Sequence, residues 1–133
     1  MTASIPEAYA DLLQDEKRAL AVLTTILPDG SPQATPVWFD FAEGRLRVNT
    51  ARGRTKDRNM TDRPVVALCI LDPQNPYRYL QVRGRVVGAD EAGGRAHIDR
   101  LAHKYLGRST YDGPVSEQRV TYWIEPTAVQ AMG

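Results

Sequence analysis

Ala19-Leu-Ala-Val-Leu-Thr-Thr-Ile-Leu27, Gln33-Ala-Thr-Pro-Val-Trp-Phe-Asp-Phe41 and Arg45-Leu-Arg-Val-Asn-Thr50 are three β-favouring runs separated by two short turns. Pro28-Asp29-Gly30 is a turn with a mechanism, since proline presets φ and glycine accepts the left-handed region. Ala42-Glu43-Gly44 turns the chain again, and Leu46 and Val48 alternate with polar neighbours beyond it. Three strands joined so tightly make an antiparallel meander, and the rest of the chain must build on it.

Working outward, Ile5, Ala8, Tyr9, Leu12 and Leu13 follow helical spacing with Pro6 as a first-turn residue, predicting an opening helix of roughly a dozen residues. Thr55 to Thr61 predicts a short helix that stops before Pro64. The apolar run Val65 to Leu71 has strand length and suggests burial on both faces. Tyr77 to Ala89 alternates Tyr79, Gln81, Arg83 and Arg85 against Leu80, Val82 and Val86, and Gly84 inside it signals a bulge or a close backbone approach. Asp90 to Leu106 predicts a second helix capped by Asp90, Gly107 to Glu117 a loop, and Val120 to Ile124 a last strand ended by Pro126. Six strands, two main helices and tight hairpins imply one mainly β (α+β) domain over residues 1–133, a small closed or partly closed antiparallel barrel with flanking helices.

Bulk properties exclude several classes. A chain of 133 residues buries a core without staples. Its single cysteine, Cys69, rules out an internal disulfide, suits a reducing cytoplasm and reads as an inert core thiol. No apolar run approaches the roughly 20 residues of a membrane span, and Met1 to Glu7 lacks the basic-then-apolar pattern of a secretory signal. The net charge is +1, so generic nucleic-acid binding is not favoured.

That near-neutral total hides a cationic pole. Arg45, Arg47, Arg52, Arg54, Lys56, Arg58 and Arg63 face only Asp57 and Asp62, a local charge of +5. Gly53 lets the backbone approach a ligand, and Thr50, Thr55 and Asn59 add neutral donors, a combination that suits a small anion. The alternative is a set of surface arginines that solvate a loop. The pattern is neither a Walker loop nor a Rossmann fingerprint.

Pro36 removes a ladder donor, demoting its strand to an edge or a bulge, a natural bed for a flat heterocycle; edge protection is the alternative. Trp38 reads as a core or dimer-interface anchor ahead of direct ligand stacking. Tyr77 and Tyr79 suit core, interface or pocket. His97 and His103 are spaced wrongly for a shared metal and read as solvent-exposed. No metal site and no catalytic side-chain set assembles, so any chemistry must be carried by a cofactor.

The Asp-Gly-x-Pro-Gln hairpin, the strand closing on Asn49-Thr50, Arg54-x-Lys56-x-x-Asn59 and the closing Ile124-Glu-Pro-x-x-Val129 together resemble the pyridoxamine 5′-phosphate oxidase-like split β-barrel family, specifically its branch using the deazaflavin coenzyme F420. The resemblance implies a six-stranded FMN-binding-type split barrel, a homodimer with cofactor sites at the subunit interface, and hydride transfer between the reduced deazaflavin and an unsaturated small molecule. Arg54 and Lys56 match the family's phosphate ligands, and Asn59 shares their short helix. Gln33, Thr35, Pro36, Val37 and Trp38 match the strand along the ring, Asn49 and Thr50 the strand end beside it, and Tyr77 an aromatic that the second subunit contributes. Arg45, Arg47 and Arg63 are left as surface charge. Lys104, Arg108 and Tyr111 are candidates to meet a polyglutamyl tail or the substrate. The rival readings are an FMN-dependent oxidoreductase, a non-catalytic flavin, deazaflavin or haem carrier, and a nucleic-acid-binding module.

Overall fold

The computed structural model describes residues 2–133. Its element order is β1 (Ala21–Ile26), β2 (Pro32–Val37), β3 (Phe39–Ala42), β4 (Arg45–Ala51), α1 (Thr55–Asp62), β5 (Val65–Asp72), β6 (Asn75–Asp90), α2 (Gly94–Leu106) and β7 (Arg119–Met132). All seven strands form one antiparallel sheet in the order β2-β1-β5-β6-β7-β4-β3. The two edge strands, β2 and β3, are consecutive in sequence and separated only by Trp38. The sheet therefore curls until its edges approach one another, which makes a split barrel.

The seventh strand comes from that split. The Gln33–Phe41 run was expected as one strand; it breaks at Trp38, pairing with β1 before the break and with β4 after it. Backbone groups freed there find partners on α2. Tyr105 Oη lies 2.6 Å from the Ala19 carbonyl, to which it donates, and accepts from Phe39 N–H at 3.3 Å. Lys104 Nζ donates to the Phe39 carbonyl at 2.7 Å. Pairing buried backbone groups in this way is close to obligatory.

The barrel interior is filled by alternate residues of every strand, among them Leu23, Phe39, Leu46, Val48, Leu68, Ile70, Leu80, Val82, Tyr122 and Ile124, and Leu12 of the opening segment joins the same core. β5 buries one face rather than two: Val66, Leu68, Ile70 and Asp72 are buried, whereas Val65 is exposed. The expected bulge at Gly84 is present, with register shifts between Arg83 and Gly84 and again between Val86 and Gly88. A Cβ at Gly84 would lie 2.6 Å from Ile124 Cγ2, so only glycine fits.

Three boundaries differ from expectation. The opening segment forms 3₁₀ turns over Glu7–Leu13 and Asp15–Lys17 instead of an α-helix. Asp90 ends β6; α2 starts at Gly94, and Asp90 Oδ1 caps the turn by accepting the Gly93 N–H. β7 continues past Pro126, which the ladder tolerates because Pro126 faces Gly84 at the bulge, where the hydrogen-bonding register already shifts. No helix among the described residues is long and apolar enough to cross a membrane.

Candidate functional site

A cleft of about 380 Å³ opens where the split in the barrel, the end of β4, the start of α1 and one face of α2 come together. Six of the residues expected at a ligand line it: Pro36, Val37, Trp38, Asn49, Arg54 and Lys56. Leu20, Ile98, Leu101, Tyr111 and Arg119 complete the wall. Trp38 stacks on Tyr105 with ring centroids 5.4 Å apart, and Tyr111 stands edge-on to it at 6.2 Å. The cleft thus combines a flat aromatic wall with three cations, Arg54, Lys56 and Arg119.

The basic turn is built around Asp57. Its carboxylate accepts the Gly53 N–H at 2.9 Å, Arg52 Nη1 at 2.8 Å and the Tyr122 hydroxyl at 2.5 Å. Burial alone would raise its pKa; these donors overcome that and hold the carboxyl below the ordinary range. Gly53 has φ +91°, a conformation glycine adopts without strain. The turn is therefore a fixed platform ending in the first turn of α1, which has no side-chain N-cap bond.

The neighbours of the seven cations sort them. Arg47 is bound by Asp40 through two contacts of 2.9 and 2.6 Å, Arg52 by Asp57 and Glu91, Arg58 by the Gly53 carbonyl, and Arg63 by the Ile26 carbonyl and Asn59. Arg45 is exposed. Arg47 and Arg63 are thus structural ties, where surface charge had been expected. Arg54 lines the cleft and pairs with Glu117 at 2.9 Å. Lys56 has no acidic partner among the described residues. Burial first, and then the nearby Arg54 and Arg119 charges, push its pKa down. A half-buried ammonium held against two guanidinium groups is a site that an anion would stabilise.

The remaining expected residues lie elsewhere. Gln33 and Thr35 are half-buried along β2, which is an edge strand as Pro36 suggested, but they do not line the cleft. Thr50 faces the core, buried, with a hydroxyl that has no hydrogen-bond partner among the described residues. Asn59 is buried, donating to Thr25 Oγ1 and accepting from Arg63, so its side chain ties α1 to β1. Tyr77 is 83% exposed at the start of β6. Of the tail candidates, Tyr111 lines the cleft, Arg108 pairs with Asp112, and Lys104 is buried on the Phe39 carbonyl.

His97 corrects a sequence expectation. It is 4% exposed, with Nε2 3.0 Å from Asp40 Oδ1 and Nδ1 3.1 Å from Asn49 Nδ2. Burial works to raise the Asp40 pKa, but His97 and Arg47 outweigh it and hold the carboxyl at about 2. Arg119, also 4% exposed, went unrecognised because only the pairing of β4 with β7 brings it opposite Ala51. A larger groove of about 850 Å³ runs under the N-terminal segment, but its charged residues are Asp15, Glu16 and Arg100, with no cationic cluster. No group of acidic, histidine or cysteine side chains among the described residues could hold a metal.

Residues 5–133 match the family described as pyridoxamine 5′-phosphate oxidase. A solved structure described as an F420 reductase shares 36% identity with the chain at a TM-score of 0.84, the match covering 95% of this chain and 98% of that one. General stress protein 26 from Bacillus anthracis matches at 18% identity and a TM-score of 0.64, covering 92% of each chain. The HupZ protein of Group A Streptococcus matches at 14% identity and a TM-score of 0.68, covering 96% of this chain and 94% of that one. These last two share the fold. Among curated proteins, none matches the chain.

Proposed function

The chain belongs to the pyridoxamine 5′-phosphate oxidase family of split barrels, and we propose that it serves there as a reductase dependent on the deazaflavin coenzyme F420. The observation that carries this reading is the cleft itself, which joins an aromatic wall to a half-buried lysine with no acidic partner among the described residues. Its likeness to an F420 reductase favours the deazaflavin over FMN.

The donor set fits a flavin-type phosphate. Lys56 and Arg54 would hold it, since a phosphate accepts several charge-assisted hydrogen bonds and offsets the crowding of these cations. Pro36, Val37 and Trp38 would form the bed for the ring, with Asn49 at the strand end. When bound, the coenzyme supplies hydride to an unsaturated small molecule. The chain's own task is alignment: the fixed turn sets the phosphate end, Trp38 and Tyr111 limit where the planar parts lie, and the apolar wall of Leu20, Ile98 and Leu101 excludes water. Cys69 stays outside the cleft, its thiol pKa raised by burial. We place the activity in the cytoplasm and in a homodimer, where the exposed Tyr77 would serve the partner's cleft.

Titrating the protein with coenzyme F420 and with FMN side by side tests the choice. Saturable binding of F420, with weaker or no FMN binding, is expected. Tight FMN binding without F420 binding would assign the cleft to an FMN-dependent oxidoreductase instead.

A further inference from the structure

We propose that Arg119 is a third anion-binding residue of the cleft, and that the buried pair His97–Asp40 positions it through Asn49. This rests on the cleft being a cofactor site. Arg119 carries its charge in an almost fully buried position, where it must be paired. Its Nε donates to Asn49 Oδ1 at 2.9 Å and its Nη1 to Glu117 Oε1 at 2.7 Å. Nη2 makes no hydrogen bond to any described residue, and Arg119 lines the cleft beside Lys56. The guanidinium packs over the Tyr111 ring with its carbon 5.2 Å from the centroid, which fixes its plane.

Which way the Asn49 amide points decides whether this works. Its Nδ2 donates to the Gly94 carbonyl at 2.9 Å and faces His97 Nδ1 at 3.1 Å, which turns Oδ1 toward Arg119. For Nδ1 to accept, the imidazole proton must sit on Nε2, where Asp40 Oδ1 accepts it at 3.0 Å. Asp40 is itself held by both contacts from Arg47. Donors and acceptors thus run in one direction from Asp40 through His97 and Asn49 to Arg119. The opposite tautomer would turn the Asn49 amide round and set two donors, Asn49 Nδ2 and Arg119 Nε, against each other. His97 and Asp40 do not line the cleft, so they are positioning residues.

Inorganic phosphate binding to the ligand-free protein, followed by NMR together with the Arg119 Nε–H resonance, tests this. Arg119→Gln is expected to weaken phosphate binding about tenfold. His97→Leu should weaken it severalfold and shift or broaden the Arg119 resonance. His97→Gln, which can accept from Asn49 and donate to Asp40, should restore both. Asn49→Ser cuts the same chain nearer the cleft and serves if His97→Leu does not fold; it should weaken phosphate in the same way. Unchanged phosphate affinity in Arg119→Gln would overturn the third cation. A folded His97→Leu or Asn49→Ser protein with wild-type affinity and an unmoved resonance would overturn the positioning role, and so would a wild type with no measurable phosphate binding. If the variants behave as expected but neither F420 nor FMN binds, the positioning stands and the cofactor reading fails. If F420 binds equally well to wild type and variants, the inference alone fails.

Discussion

Replacing Lys56 with methionine separates binding from folding because the two should move in opposite directions. Lys56 is half-buried, has no acidic partner among the described residues, and shares its surroundings with Arg54 and Arg119. Burial, then those two charges, lower its pKa from the ordinary 10.5. A lysine whose folded pKa lies below its unfolded one penalises the fold wherever it is charged in both states. That penalty is present at neutral pH and fades as pH rises from the folded pKa toward 10.5, because the unfolded chain then binds more protons than the folded one. Methionine keeps most of the side-chain volume and removes the charge. The ligand-free variant should therefore melt at a higher temperature than wild type at pH 7, with the gap closing above about pH 10. Binding should go the other way. One charge-assisted hydrogen bond to phosphate is worth about 1.5–3 kcal/mol, so F420 affinity should fall roughly 10- to 150-fold. Thermal melts with and without ligand, paired with a fluorescence titration, read both quantities. A lower Tm combined with unchanged affinity would refute the reasoning, since Lys56 would then be a structural residue with no role at an anion.

Four further outcomes follow from the geometry. Arg54→Ala should weaken the cofactor by a similar order with little change in Tm, because its partner Glu117 retains Arg119; a titration that leaves affinity intact would remove Arg54 from the site. Asp57→Ala removes the acceptor of Gly53 N–H, Arg52 and Tyr122, and should destabilise the fold by about 3 kcal/mol in urea unfolding. Gly94→Ala would set a Cβ 2.2 Å from the Arg119 carbonyl, so α2 must shift off β7; a loss of at least about 2 kcal/mol is expected, and a wild-type urea midpoint would contradict the packing. Asp40 is held at about 2 against an ordinary 3.8, so its contribution is present above pH 4 and lost as pH falls toward 2. Acid unfolding should lose that component in Asp40→Asn, about 2 kcal/mol by linkage.

The strands were legible because alternation and turn chemistry are local. Pro28-Asp29-Gly30 and Ala42-Glu43-Gly44 marked hairpins, Pro36 marked an edge, and Gly84 marked the bulge. What stayed hidden depends on partners distant in sequence. His97 and Lys104 sit on the buried face of α2 because Asp40 and the Phe39 carbonyl, both 57 or more residues away, receive them. A helix read alone assigns such residues to solvent. Pro126 stopped the last strand in the sequence reading because the bulge that excuses it lies on β6. The cationic window showed where an anion could sit, but not which cations were free: Asp40, Asp57 and the Ile26 carbonyl take Arg47, Arg52 and Arg63 out of play. Arg119 entered the site only through the β4–β7 register.

In the proposed function the cationic side chains of the cleft grip the phosphate of a flavin-type ring system. Its most direct test compares binding of coenzyme F420 with binding of the same deazaflavin lacking phosphate and tail, at matched ionic strength. Affinity for the phosphate-bearing form at least about tenfold higher, with the advantage lost in Lys56→Met, is the predicted result. Equal affinity for the two compounds in wild type would contradict it.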